Sequence, residues 1–295
     1  MPRAANDALC RTAPVTVSNQ DRHRVLILGC GYVGSALAKR LVLEGHDVVA
    51  TTTTETRIRE IAGFGATPLV LSLYETDRLH DALADRGVVF LCIAPGRTGQ
   101  SYRELYADGA GRLVTACRNT AVRRIVYTSS TRVYDQNDGS WVDEDSATHP
   151  PDEDGQSLIT AERTLLDARR VGLMPPESVV TVLRLGGIHG PGRELAQRIH
   201  PAAGTSRSDG EVFVNLIHRH DIVETSMKLI AVEYQGVINV CDGLPVLRRE
   251  LYDREMVRAG LSPIQWTRAR DTMGGKRVSI ERLRRTLRIS PQPHA

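Results

Sequence analysis

The sequence predicts an α/β protein with a doubly wound parallel sheet and a small C-terminal substrate-side subdomain. Three observations carry that expectation. Val25, Leu26, Ile27 and Leu28 form an unbroken apolar run, as in a strand buried on both faces, and it stops at Gly29. Five such apolar runs, separated by four helical stripes, follow one another up to residue 129, the rhythm of β-α-β units. At 295 residues with 41% apolar and 25% charged side chains, the chain is long enough for a large core and has no run of about 18 apolar residues to cross a bilayer.

In order, residues 35–44 place Leu37, Ala38 and Leu41 on one helical stripe, and Gly45 supplies the stop. A strand at 48–50 follows, then a helix at 56–62, a strand at 67–73, a helix at 77–84, a strand at 88–93, a helix at 102–118 and a strand at 124–129. Residues 135–155 break the rhythm with a carboxylate-rich stretch holding Pro150 and Pro151, predicted to be a flap near the ligand. A helix at 158–170 and a strand at 178–185 restore it, and 237–240 offers a further strand. Residues 1–22 are polar, lack an apolar stretch and are expected to form a flexible leader. The dinucleotide-binding unit is then 23–188, with 236–242 added to its sheet, and the substrate-side unit is 189–235 with 243–295.

A net charge of +3 is too small and dispersed for a nucleic-acid or anionic-membrane surface, so a small-molecule substrate is expected. Five scattered cysteines in no CxxC pair suggest neither zinc nor a disulfide framework, no metal is expected, and a reducing cytoplasm fits best.

Gly29-Cys30-Gly31-Tyr32-Val33-Gly34 satisfies GxGxxG between a predicted strand and a predicted helix. In that context Gly29 makes the tight turn, Gly31 admits a pyrophosphate, Gly34 lets helix pack on strand, and the helix N-terminus offers free amides. The crevice of this Rossmann arrangement continues along the next strand tips, at Thr52 and Thr53, Ser72 and Leu73, Ile93 and Ala94. An acid that would bind the ribose 2′-hydroxyl of NAD is missing from the second strand's tip, which reads Thr51 to Thr54, while Arg57 can meet a 2′-phosphate. NADP is therefore preferred over NAD.

Four segments in this order resemble the short-chain dehydrogenase/reductase superfamily in its extended, NAD-dependent epimerase/dehydratase-like branch. They are the glycine loop; Val126 through Ser129, Ser130 and Val133 to Tyr134; Leu183 through Gly186, Gly187, Ile188, His189 and Gly190 to Arg193; and Asn215 through His218 to Asp221. The resemblance implies a cofactor loop at Gly186, Gly187 and Ile188 beside the nicotinamide, a catalytic serine at Ser130, and a Tyr-x-x-x-Lys dyad on the next helix. The dyad positions fall on Asp154 and Leu158, and no Tyr-x-x-x-Lys exists anywhere in the chain. This is the pattern of atypical members. Substitutes placed near the nicotinamide by the resemblance are Ser130, Tyr134, His189, which titrates near neutrality, and Asp154.

The expected function is an NAD(P)-binding oxidoreductase or epimerase/dehydratase-type enzyme acting on a small carbonyl, hydroxyl or imine compound. The alternatives are a non-catalytic dinucleotide sensor or scaffold, and a lyase or isomerase on the same fold. Relatives pair the helices equivalent to 102–118 and 158–170 across a dimer interface, which suggests a homodimer.

Overall fold

The structure is a computed structural model that describes residues 22–96, 99–267 and 273–292. The expected leader lies almost wholly outside the described residues. The first half runs β1 (Arg24–Leu28), α1 (Tyr32–Leu43), β2 (Asp47–Thr52), α2 (Ile58–Gly63), β3 (Thr67–Val70), α3 (Thr76–Leu83), β4 (Val88–Leu91), α4 (Gly109–Ala116) and β5 (Arg124–Ser130). A short strand β6 (Trp141–Val142) leads to α5 (Glu153–Asp167), β7 (Val179–Leu185), β8 (Gly187–His189), α6 (Leu195–Ile199), β9 (Ser206–Arg207), β10 (Val212–Val214), β11 (Leu216–His218), α7 (Arg219–Ala231) and β12 (Gly236–Val240). The chain ends with β13 (Val246–Leu247), α8 (Arg248–Ala259), β14 (Gln265–Trp266), β15 (Gly274–Gly275), β16 (Arg277–Val278) and α9 (Glu281–Leu287).

Seven strands form one parallel sheet in the order β12-β7-β5-β4-β1-β2-β3. The order reverses at β1 and β4, so a crevice opens beyond their C-terminal ends, where ligands of open α/β sheets bind. The central strands are apolar on both faces because helices cover both. Val25, Leu26 and Ile27, with Val89, Phe90 and Leu91, are wholly buried. Beyond β7 the pairings are short: β8 with β11, β9 with β14, β6 with β16, and β10 between β13 and β15. Ile199, Ala202, Met256 and Ile264 form a separate small apolar cluster there.

The sequence expectation is corrected at α5, which begins five residues earlier than predicted. Asp152 is its N-cap, accepting from the Gly155 amide at 2.7 Å, and Glu153 and Asp154 occupy the first turn, where carboxylates complement the helix dipole. Acidic residues that look like loop are here a helix start. The predicted helix at 102–118 is also composite, a π-helical stretch at Arg103–Asp108 running into α4. Strand β3 ends at Val70, short of the predicted 73, because the Ser72 amide turns to the Glu75 carboxylate.

Candidate functional site

The glycine loop joins β1 to α1 and is held from β2. The Gly29 amide donates to Thr51 Oγ1 at 3.0 Å and the Cys30 amide to the Thr51 carbonyl at 2.8 Å. Gly29 has a φ of +91°, and a Cβ there would lie 2.8 Å from the Cys92 carbonyl of β4's end. A Cβ on Gly34 would run into the Gly29 carbonyl. Gly31 differs: an added Cβ would meet no atom within 4 Å, so this is the open face of the loop. It is also the N-cap of α1, where no side chain caps the helix and no acid sits in the first turn. The orphan amides and positive dipole end are left for an anion. The Tyr32 hydroxyl is buried with no hydrogen-bond partner among the described residues. These residues fit a dinucleotide diphosphate, which the amides from Gly31 to Gly34 would hold.

Past the tip of β2, Arg57 donates to the Cys30 carbonyl and, at 3.2 Å, to Ser35 Oγ, and also pairs with Glu60 at 2.9 Å. Thr52 bonds the Thr54 amide at 3.1 Å, and Thr53 is exposed. Leu73 and Ile93 flank Gly109 of α4, while Ala94 is exposed.

The other wall comes from β5, α5 and β7. Ser130 ends β5 half-buried, and its hydroxyl accepts from the Arg132 amide at 3.2 Å, capping the turn at Thr131–Val133. Thr131 Oγ1 donates to the Leu185 carbonyl at 3.3 Å, tying the ends of β5 and β7 together. Gly186 has no room for a side chain, since a Cβ would stand 2.8 Å from the Asn215 carbonyl. The Gly187 amide donates to that carbonyl at 2.8 Å, and Ile188 pairs with Ile217.

His189 is buried and packs edge-on to His218, with ring centroids 5.2 Å apart. His218 caps α7, accepting from the His220 amide at 3.2 Å. The next residue, Gly190, reaches the glycine loop: a Cβ there would lie 3.2 Å from the Tyr32 hydroxyl and 2.8 Å from His218 Nε2. The guanidiniums of Arg193 and Arg219 lie over the Tyr32 ring at 4.7 and 4.4 Å from its centroid. The structure thus brings the third and fourth sequence segments against the first.

Tyr134 and Asp154 are placed differently from the expectation. The Tyr134 phenol is 2% exposed, donates to Asn239 Oδ1 at 2.7 Å and accepts from Arg184 at 2.9 Å. Burial pushes its pKa up to about 12, against the lowering pull of Arg184. It belongs to a core network in which Arg184 also clasps Glu162 at 2.7 Å and Ser129 donates to Glu162 at 2.6 Å. Asp154 is half-buried and pairs with Arg132 at 3.2 Å, beside the Arg132–Asp152 pair at 3.1 Å. Leu158, at the position of the missing lysine, is 3% exposed within the core.

The sequence reading missed Arg184 and Glu162 as a buried pair, although Arg184 lies in a segment that carried the resemblance. It also missed Lys276, one of only three lysines in the chain, whose ammonium donates to the Tyr134 carbonyl. Among the described residues, no helix is long and apolar enough to cross a membrane.

A parallel sheet with a diphosphate cradle at its switch point defines an NAD(P)-binding Rossmann protein. Residues 29–156 match the family model for NAD(P)H-binding domains. The fold is that of a solved short-chain dehydrogenase/reductase superfamily protein with bound NAD from Agrobacterium tumefaciens, 20% identical with a TM-score of 0.76. Protein YeeZ of Escherichia coli K12 is 29% identical over 269 residues, covering 88% of this chain and 92% of that protein. The 2-alkyl-3-oxoalkanoate reductase of Stenotrophomonas maltophilia is 24% identical over 289 residues, covering 90% and 84%. Among solved structures, MoeE5 in complex with UDP-glucuronic acid and NAD is 25% identical with a TM-score of 0.77, covering 92% of this chain and 94% of that one.

Proposed function

We propose that this protein is an NADP(H)-preferring enzyme of the epimerase/dehydratase type that acts at a carbonyl or hydroxyl carbon of a small molecule without the usual tyrosine–lysine dyad. The observation that carries the reading is the open face at Gly31, a capless helix start flanked by two glycines that tolerate no side chain. The bound nicotinamide would supply or accept hydride. The chain's own part is to grip the diphosphate on the amides from Gly31 to Gly34 and to set Ser130, His189 and the Gly186–Ile188 turn around the reacting end. Ser130 offers a hydroxyl for a substrate oxygen, and His189 an imidazole.

Preference for the 2′-phosphate rests on Arg57, which lies across Cys30 and Ser35 at the adenosine end, and on the absence of an acid at the tip of β2. Glu60 already neutralises part of that charge, so the expected preference is modest. Calorimetric titration with NADPH and NADH tests it. NADPH should bind at least threefold more tightly, and Arg57→Ala should weaken NADPH about tenfold while leaving NADH within twofold, as loss of one charge-assisted contact requires. Equal binding of both would refute the preference, and binding of neither would refute the function.

The buried Leu158 favours a second reading, a non-catalytic dinucleotide sensor. Turnover separates the two. Oxidation of NADPH with a panel of aldehydes, 3-oxo acids and UDP-sugars, abolished by Ser130→Ala or His189→Phe, excludes the sensor. The homodimer is proposed to form through the outer faces of α4 and α5, and light scattering at the monomer mass would refute it.

A further inference from the structure

We propose that Lys276, brought in from the C-terminal segment, touches the substrate and is the proton donor that α5 no longer carries. This deepens the enzymatic reading above and depends on it.

The chain has three lysines. Lys39 and Lys228 are exposed on α1 and α7, whereas Lys276 is half-buried. Its backbone is fixed on both sides. The Gly275 amide donates to Asn137 Oδ1 at 2.7 Å, and the Gly139 amide to the Gly275 carbonyl at 2.9 Å, which fastens this segment to the flap. Asn215 Nδ2 donates to the Lys276 carbonyl and Asn215 Oδ1 accepts from the Val278 amide, both at 2.9 Å. The Asn215 backbone carbonyl is the same one that holds Gly187, so the lysine is braced to the turn that follows β7.

From there the ammonium reaches the carbonyl of Tyr134, one residue past the turn capped by Ser130. It therefore stands where the end of β5, the start of α5 and the flap converge. Asp135 of the flap and Asp152 of α5 face it, and Arg132 and Asp154 lie behind Asp152. Among the described residues no carboxylate approaches it within ion-pair distance, and its one hydrogen bond leaves two N–H groups unspent. Burial holds its pKa below the ordinary lysine value, opposed by Asp135 and Asp152. An ammonium kept half out of water with a single carbonyl partner is costly unless a ligand uses it.

In the reduction direction Lys276 gives a proton to the carbonyl oxygen as the carbonyl carbon receives hydride from the reduced nicotinamide. The carbonyl becomes an alcohol, the nicotinamide is oxidised, and the neutral amine recovers its proton from water. The reverse direction has the neutral amine accept the hydroxyl proton.

Three lysines make the test clean. The full-length protein is labelled with trace acetic anhydride between pH 6 and 11, and each lysine is followed by mass spectrometry. Lys276 should titrate at lower pH than Lys39 and Lys228. Lys276→Met should leave NADPH affinity within twofold and cut turnover of any substrate found with the panel by at least about 100-fold, the usual yield of a positioned acid, and Lys276→Arg, which cannot release its proton, should not restore it. If Lys276 only tethers the flap, it titrates with the other two lysines, Lys276→Met keeps turnover within tenfold, and Lys276→Arg behaves as the parent. Either result overturns the proposal while NADPH binding persists, whereas loss of NADPH binding by the parent protein overturns the enzymatic reading itself.

Discussion

Replacing Gly31 by valine separates the dinucleotide cradle from the stability of the fold. An added Cβ meets nothing within 4 Å, but at φ −83° and ψ −146° the backbone lies just outside the extended region that valine prefers, a cost of about 1 kcal/mol. The exchange of glycine for a poor N-cap residue adds about 0.5–1 kcal/mol. The same side chain stands over the orphan amides of α1. Blocking two amide-to-phosphate hydrogen bonds, at roughly 1.5–3 kcal/mol each for charged partners, should weaken NADPH binding at least 100-fold. Calorimetry measures the affinity and thermal denaturation the fold, with the midpoint expected within about 6 °C of the parent. Gly34→Ala gives the opposite pattern, because its Cβ meets the Gly29 carbonyl: lowered stability of about 2 kcal/mol or more, whatever happens to binding. Gly31→Val protein that binds NADPH within threefold of the parent would refute the cradle.

Arg184→Met breaks a pair whose side chains are 6% and 2% exposed, stranding Glu162 with only Ser129 as donor, and should cost about 3–5 kcal/mol in urea denaturation at pH 7. A loss below 1 kcal/mol would show the pair to be dispensable. Asp242 is half-buried and its pKa is pushed up to about 6, chiefly by burial with Asp221 adding to it, above the ordinary 3.8. Its folded form holds a proton that the unfolded chain has released, so its favourable contribution is lost as pH rises from about 4 to 6. Asp242→Asn should raise stability by about 1–2 kcal/mol at pH 7, after discounting for solvent screening, and by nothing at pH 4. A gain equal at both pH values would refute the assignment. Leu158→Lys puts an ammonium at a 3% exposed core position and should destabilise by about 2–4 kcal/mol without creating turnover, which thermal denaturation and NADPH oxidation assays check.

The sheet was legible because its strands are local apolar runs separated by glycine stops, and residues 25–28 and 88–91 need only their own composition to declare burial on both faces. The glycine loop was legible because each glycine answers a backbone demand visible as spacing. The start of α5 was not, since Asp152 to Asp154 serve a cap and a dipole, roles that look identical to a solvated acidic loop until the Gly155 amide is seen on Asp152. Lys276 was not legible either. It lies 142 residues from the carbonyl it binds, and its importance is a matter of burial and convergence, neither of which has a local signature. The bonds of Tyr134 were not legible for the same reason: only the approach of Arg184 and Asn239 shows that its phenol is bonded in the core.

The missing dyad has left no vacancy on α5. The lysine position is filled by Leu158 as core, and the tyrosine position by Asp154, already paired with Arg132. The framework around them is intact: Glu162, one turn further along α5, clasps Arg184 of β7 and Ser129 of β5, so the strand ends bearing Ser130 and Gly186 are pinned by a helix that has no tyrosine or lysine of its own. A buried pair of this kind adds little net stability over well-packed apolar residues. It does fix the register of three elements at the crevice. Two pieces of chain outside the sheet then close over that fixed edge, the flap and the segment at 274–278, and they meet where the Lys276 ammonium rests on the end of the β5 turn. The helix thus supplies position and the C-terminal segment supplies the proton. Restoring lysine to residue 158 would disturb the first without replacing the second.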